Sequence, residues 1–270
     1  MGMKRAIIDI KNEYHDSGFY ITAKYVIYRA IKHARFLLLG KFCKNVGHKF
    51  VNPTLDELYQ VVDLQTNDFS ILLQKFHIDE YDSEFQEALK VFNEIKNKTT
   101  LNYPKNFEVN GPEAKFLYGI TRRLKPKIFI ETGVADGVSS FFILNAIKKN
   151  KTGKLISIDV RNNVGNFVPE GLKKSWELKI LRGNFVNDFK NIMSKSPRVD
   201  IFLHDSDHSY EWQTLEYKAA LNKLVKNGLL LSDDVDKSYA LIDLIKANPN
   251  KYKVFTMVTD RKAFGVIMNR

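Results

Sequence analysis

Cysteine is almost absent: Cys43 stands alone among 270 residues. That excludes an internal disulfide framework and any cysteine-rich zinc site. Long apolar runs are missing too. A membrane span needs roughly 18 consecutive apolar residues, and Phe36-Leu37-Leu38-Leu39 falls far short of it. The N-terminus opens on charged residues, with no apolar stretch leading to a small-residue cleavage site, so no secretory signal is expected. Together these absences lead to the expectation of a cytoplasmic protein. Internal repeats and low-complexity tracts are also lacking, which excludes solenoid and fibrous architectures.

What is present is an ordinary globular composition, 44% hydrophobic, on a chain long enough for one large α/β domain with an appendage. The net charge of +11 is uneven. Residues 1–50 carry 10 Lys and Arg against 3 Asp and Glu; residues 51–110 carry 5 against 11; residues 111–270 carry 27 against 17. Such an excess draws a protein towards anionic partners, although it says nothing of chemistry.

Two textures meet near Asn110-Gly111-Pro112, dividing the chain into a mainly helical region, 1–110, and a regular α/β region, 111–270. In the first, Tyr25 to Phe42 places Ile27, Ala30, Ile31, Ala34 and Leu38 on one helical face, and Leu72–Phe76 and Phe85–Ile95 read as two more helices. In the second, a helix from Glu113 to about Leu124 precedes alternating strands and helices. The strands are Ile128-Phe129-Ile130, Leu155–Ile158, Leu178–Leu181, Ile201-Phe202-Leu203 and Leu229-Leu230-Leu231. Buried strands alternating with helices of this length imply a parallel sheet covered on both faces. Tyr252–Thr256 and Phe264–Met268 have no room for a helix between them and should pair antiparallel.

In such a sheet ligands bind at the carboxyl ends of the strands. The first strand runs into Glu131-Thr132-Gly133-Val134-Ala135-Asp136-Gly137, where Gly133 and Gly137 allow a tight turn and close approach of a ligand to the backbone. The spacing is neither GxGxxG nor a P-loop, and no lysine is there to hold a phosphate. The second strand ends in Asp159, an acid suited to a ribose diol, and the third runs into Gly183-Asn184-Phe185. The acidic, glycine-rich turn resembles the first motif of class I methyltransferases. That resemblance implies a Rossmann-like sheet, parallel with a C-terminal antiparallel pair. It also implies S-adenosyl-L-methionine as cofactor, held by Glu131, Gly133, Gly137, Asp159 and Asn184.

The densest polar stretch is His204-Asp205-Ser206-Asp207-His208-Ser209-Tyr210, with Ser232-Asp233-Asp234 after the next strand. Crowding these groups without a cation or substrate would be costly. The stretch is similar to the Asp-Gly-Asp-His-Ser-Tyr element of the subgroup that includes sugar and small-molecule O-methyltransferases and cephalosporin-hydroxylase-like proteins, with Ser206 where glycine is usual. In metal-dependent relatives the matching acids hold a divalent ion, which implies Asp205, Asp233 and Asp234 as ligands of Mg²⁺ or Mn²⁺. His208, whose ordinary pKa lies near neutrality, suits the role of base beside Asp205. His204, almost within its strand, reads better as a core histidine.

Base methylation normally goes with an Asn/Asp-Pro-Pro-Tyr/Phe element after the fourth strand, and none occurs, so a hydroxyl on a sugar or other small molecule is the expected acceptor and nucleic acid is not. Residues 1–110 are expected to form a lid or an assembly region, compatible with a homo-oligomer. Tyr25–Phe42 pairs an apolar with a basic face, as in helices that lie on anionic membranes, while packing on the catalytic domain is the better reading. Two other classes stay open: a non-catalytic binding protein on the same fold, and a hydroxylase-like enzyme.

Overall fold

The computed structural model describes residues 52–103, 109–259 and 262–269. The Tyr25–Phe42 helix expected from sequence lies outside them. Eight strands form one sheet: β1 (Leu64–Thr66), β2 (Ile128–Thr132), β3 (Lys154–Asp159), β4 (Trp176–Ile180), β5 (Val199–His204), β6 (Leu224–Ser232), β7 (Tyr252–Val258) and β8 (Ala263–Asn269), in the order β1-β7-β8-β6-β5-β2-β3-β4. The five strands from β2 to β6 run parallel. β8 is antiparallel to both β6 and β7. This is the expected class of fold, a mixed α/β sheet with a C-terminal antiparallel pair.

Alternation along the strands divides the core. Phe129, Leu155, Ile201, Leu203, Leu229 and Leu231 face one layer, while Ile130, Ile156, Phe202 and Leu230 face the other. The first layer is built by α2 (Phe69–Lys75), α3 (Asp82–Lys96), α4 (Gly111–Leu124) and α5 (Val138–Asn150). The second is built by α1 (Leu55–Tyr59), α7 (Phe185–Lys195), α8 (Tyr210–Lys223) and α9 (Ala240–Lys246). A short α6 (Glu170–Lys173) precedes β4. Helix α4 starts at a capping box in which Asn110 Oδ1 accepts the Glu113 N–H at 2.9 Å and the Glu113 carboxylate accepts the Asn110 N–H. That start is two residues earlier than sequence predicts.

The division at 110/111 is a change of texture but not of packing. Phe92 lies 5.2, 5.1 and 5.3 Å, ring to ring, from Phe141, Phe142 and Phe167; burying one such ring contributes about 1.5–3 kcal/mol. Arg122 holds Glu84 in a two-pronged pair, Nε to Oε2 at 2.6 Å and Nη2 to Oε1 at 3.1 Å, and so ties α3 to α4. β1 itself was hidden from sequence. Only Leu64, Gln65 and Thr66 pair with β7, too few residues for an alternation to register, and Asp63 secures them by accepting the Val254 N–H at 2.8 Å.

The chain moves outwards from β2 to β3 and β4, then returns to the other side of β2 to place β5. A ligand crevice is expected at such a reversal, beyond the carboxyl ends of β2 and β5.

Candidate active site

The turn after β2 is held in an uncommon backbone conformation, with φ of +80° at Gly133, +46° at Ala135 and +88° at Gly137. Left-handed backbone at a residue with a Cβ costs roughly 1–2 kcal/mol, so Ala135 needs support. Its carbonyl accepts the Gly165 N–H at 2.8 Å, and Asp136 accepts the backbone N–H groups of Asn102 and Tyr103 at 2.9 and 3.0 Å. Gly133 is tight against the reversal point: a Cβ there would sit 1.9 Å from the Asp205 carbonyl oxygen. At Gly137 a Cβ would come within 2.9 Å of Gly165 Cα.

Asp159 closes the turn from the side. One carboxylate oxygen accepts the Val134 N–H at 2.8 Å and the other the Arg161 N–H at 2.9 Å. Each oxygen keeps a lone pair, enough for the two hydroxyls of a ribose. Beside it, Tyr103, Val134 and Val164 cluster with Trp176 and Leu178 of β4 into an apolar wall. The Arg161 guanidinium lies 5.3 Å over the Tyr103 ring.

Two of the expected cofactor residues take other work. Glu131 is fully buried behind the turn, accepting hydrogen bonds from Ser139 at 3.0 Å, Ser157 at 2.6 Å and Ser140. Burial pushes its carboxyl up to about 7, against the pull of those three hydroxyls. It binds β2, β3 and the start of α5 together. Asn184 is exposed and caps α7, its Oδ1 accepting the Asn187 N–H at 3.1 Å; an asparagine at this position offers a free helix N–H a partner.

The acids after β5 and β6 do meet. Asp205, His208 and Asp233 place ligand-type atoms within 4.8 Å of one another. Asp205 is pushed well above the usual carboxylate range by burial and by Asp233. His208 is pushed down to about 4 by burial and the neighbouring His204, which corrects the expectation of an imidazole poised near neutrality. The two imidazole rings lie edge to face at 5.4 Å. His208 Nδ1 is buried and, among the described residues, without a hydrogen-bond partner. Asp234, with φ of +49°, is raised to about 6 by burial and Asp233.

The expected trio of Asp205, Asp233 and Asp234 is not assembled as a ligand set. Asp234 stands outside the close group and instead faces His208, Oδ2 to Nε2 at 3.7 Å. The pivotal Asp233 is already engaged: Lys262 Nζ lies 2.9 Å from each of its oxygens and 2.9 Å from Glu113 Oε2. A divalent ion about 4 Å from that ammonium would meet a repulsion of about 8 kcal/mol at an effective dielectric constant of roughly 20, so the two would compete for the same acids.

Sequence reasoning missed Lys262, Glu113 and Glu216. Glu216 accepts from Thr132 at 2.5 Å, Ser206 at 2.9 Å and His204 Nδ1 at 2.6 Å. It thereby ties β2, the polar loop and α8 into one buried network, and fixes His204 as the core residue expected. A signal for it existed: Gln213, Glu216, Tyr217 and Ala220 share the buried face of α8, and a carboxylate at helical spacing with Tyr and Ala needs a partner.

Residues 130–235 match the profile of a methyltransferase domain. No curated protein matches the chain. Among solved structures it is similar to an O-methyltransferase from Bacillus cereus in complex with S-adenosylhomocysteine, at 16% identity and a TM-score of 0.53, covering 70% of this chain and 91% of that one. It is also similar to the O-methyltransferase TomG from Streptomyces achromogenes, which is involved in tomaymycin synthesis and was solved with S-adenosylmethionine, at 14% identity and a TM-score of 0.52, covering 70% and 90%. A third is a Podospora anserina methyltransferase bound to S-adenosylhomocysteine, at 14% identity and a TM-score of 0.51, covering 68% and 87%. At these identities the likeness is one of fold, while the profile speaks to the sequence. The sheet has the fold of these methyltransferases, and residues 130–235 within it match a methyltransferase-domain profile.

Proposed function

We propose that this chain transfers a methyl group from S-adenosylmethionine to a hydroxyl of a sugar or other small molecule. The observation that carries the reading is the juxtaposition at the sheet reversal. The Asp205 carbonyl oxygen is packed against Gly133, while the Asp205 side chain opens into the group with His208 and Asp233. The cofactor turn and the polar cluster are therefore adjacent. When bound, S-adenosylmethionine supplies an electrophilic methyl on a positively charged sulfur.

The chain's own residues then do three things. Asp159 and the 133–137 turn orient the nucleoside end. Asp233 accepts a hydrogen bond from a neighbouring hydroxyl of the acceptor, while the reacting hydroxyl donates to His208, which aligns its oxygen for in-line attack. As the O–CH₃ bond forms and the S–CH₃ bond breaks, His208 takes the hydroxyl proton. An oxygen gaining a methyl group becomes strongly acidic, so even an imidazole of pKa about 4 suffices as its base.

Incubation with methyl-labelled S-adenosylmethionine and a panel of sugars, catechols and other polyols tests the reading. Stoichiometric S-adenosylhomocysteine and label on an ether oxygen are expected. Label on nitrogen or carbon, or a product oxidised rather than methylated, would reject it.

A further inference from the structure

The acid cluster contains a cation that belongs to the chain. Lys262 stands at the entry to β8, beyond the turn from β7, where its backbone carbonyl accepts the Thr259 N–H at 2.9 Å. Its side chain runs inwards, and only 16% of it is exposed. Its ammonium touches Glu113 at the start of α4 and both oxygens of Asp233 at the end of β6. Asp233 in turn contacts Asp205 at the end of β5. Glu113 is itself fully buried, and without a positive partner its carboxylate and that of Asp233 would repel each other.

We propose that the Lys262 ammonium is the resident cation of this site, holding Asp233 in place and offsetting the clustered carboxylates, so that the domain works without a divalent metal. Lys262 is on this account a positioning residue. It acts through Asp233, and its tethered single charge stands where related folds are expected to bind Mg²⁺ or Mn²⁺. Methyl transfer tolerates this arrangement because no oxygen need be held by a Lewis acid. The reaction needs an oriented hydroxyl and a place for one proton.

The proposal rests on the reading of the site as a methyl-transfer site only for its consequence in turnover, and the test separates the two. Titration of the wild-type protein with MgCl₂ and MnCl₂ by calorimetry should show no binding at up to millimolar ion. Lys262→Met keeps most of the side-chain length and removes the charge, leaving the carboxylates to seek another cation. Mn²⁺ should then raise the variant's melting temperature by about 3 °C or more while leaving the wild type unmoved. Micromolar Mn²⁺ binding by the wild type would overturn the proposal, as would a folded Lys262→Met protein indifferent to Mn²⁺. Should that variant not fold, the wild-type titration decides alone. S-adenosylhomocysteine affinity measured on the same samples reports on the methyl-transfer reading, and its loss in the wild type would reject that reading and leave the metal result standing.

Discussion

Gly133→Ala is expected to destabilise the fold by about 3 kcal/mol or more and to remove cofactor binding from whatever remains folded. Two independent penalties combine. The backbone at φ of +80° disfavours any residue with a Cβ, and that Cβ would lie 1.9 Å from the Asp205 carbonyl oxygen. The obstacle is backbone, not the far end of a flexible side chain. Relief requires the ends of β2 and β5 to separate, and those ends hold the Gly133 turn against the polar cluster. Denaturant unfolding would show the loss of stability, and calorimetry with S-adenosylhomocysteine the loss of affinity. A variant as stable as wild type with unchanged affinity would mean that the turn is not packed as described.

The second large effect is catalytic. His208→Ala should lower turnover by about 10²–10⁴-fold, the usual contribution of a positioned base, with cofactor affinity nearly intact because His208 follows β5 and Asp159 ends β3, on opposite sides of β2. The pH profile carries a signature of its own. A histidine works as a base only when neutral, and a pKa depressed to about 4 keeps it neutral well below its ordinary value of 6.5. The limb of the profile that belongs to His208 should therefore lie near 4 and vanish in His208→Ala, while Asp234, raised to about 6, and Glu113, raised to about 7, titrate above it. A limb near 6.5 that disappears in His208→Ala would contradict the depressed pKa, and a wild-type rate in His208→Ala would leave that histidine structural.

The fold was legible in sequence wherever the pattern was local and repeated. Strand cores such as Ile201-Phe202-Leu203 and Leu229-Leu230-Leu231 read clearly because a strand buried on both faces is apolar at every position. The antiparallel ending followed from the lack of room for a helix between Tyr252–Thr256 and Phe264–Met268. What escaped was either short or non-local. β1 offers three residues to an edge. The contribution of α2 and α3 to the core depends on partners such as Phe141 and Phe255 far along the chain.

The site divides in the same way. Gly133, Gly137, Asp159, Asp205, His208 and Asp233 stand out in sequence because each lies at or after a strand end, and the structure brings Asp205, His208 and Asp233 together. Glu131 and Asn184 satisfied the same positional rule, yet their side chains are occupied, by three serines in one case and a helix N-terminus in the other. Position alone does not say which way a side chain is committed. Lys262 could not be found by that rule at all. It lies at the opposite end of its connection, entering β8 instead of leaving a parallel strand, and its partner Glu113 reads from sequence only as the start of a helix.

The measurement that tests the central claim most directly is calorimetry of S-adenosylhomocysteine with the wild-type protein and with Asp159→Ala. The account predicts one cofactor per chain for the wild type, and binding weakened by about 1–3 kcal/mol in the variant through hydrogen bonds lost to a charged acceptor. Circular dichroism of Asp159→Ala should remain that of the wild type, since the Val134 and Arg161 N–H groups lie at a part-exposed turn. No binding by the wild type, or equal affinity in the two proteins, would contradict the assignment of this turn as the cofactor site.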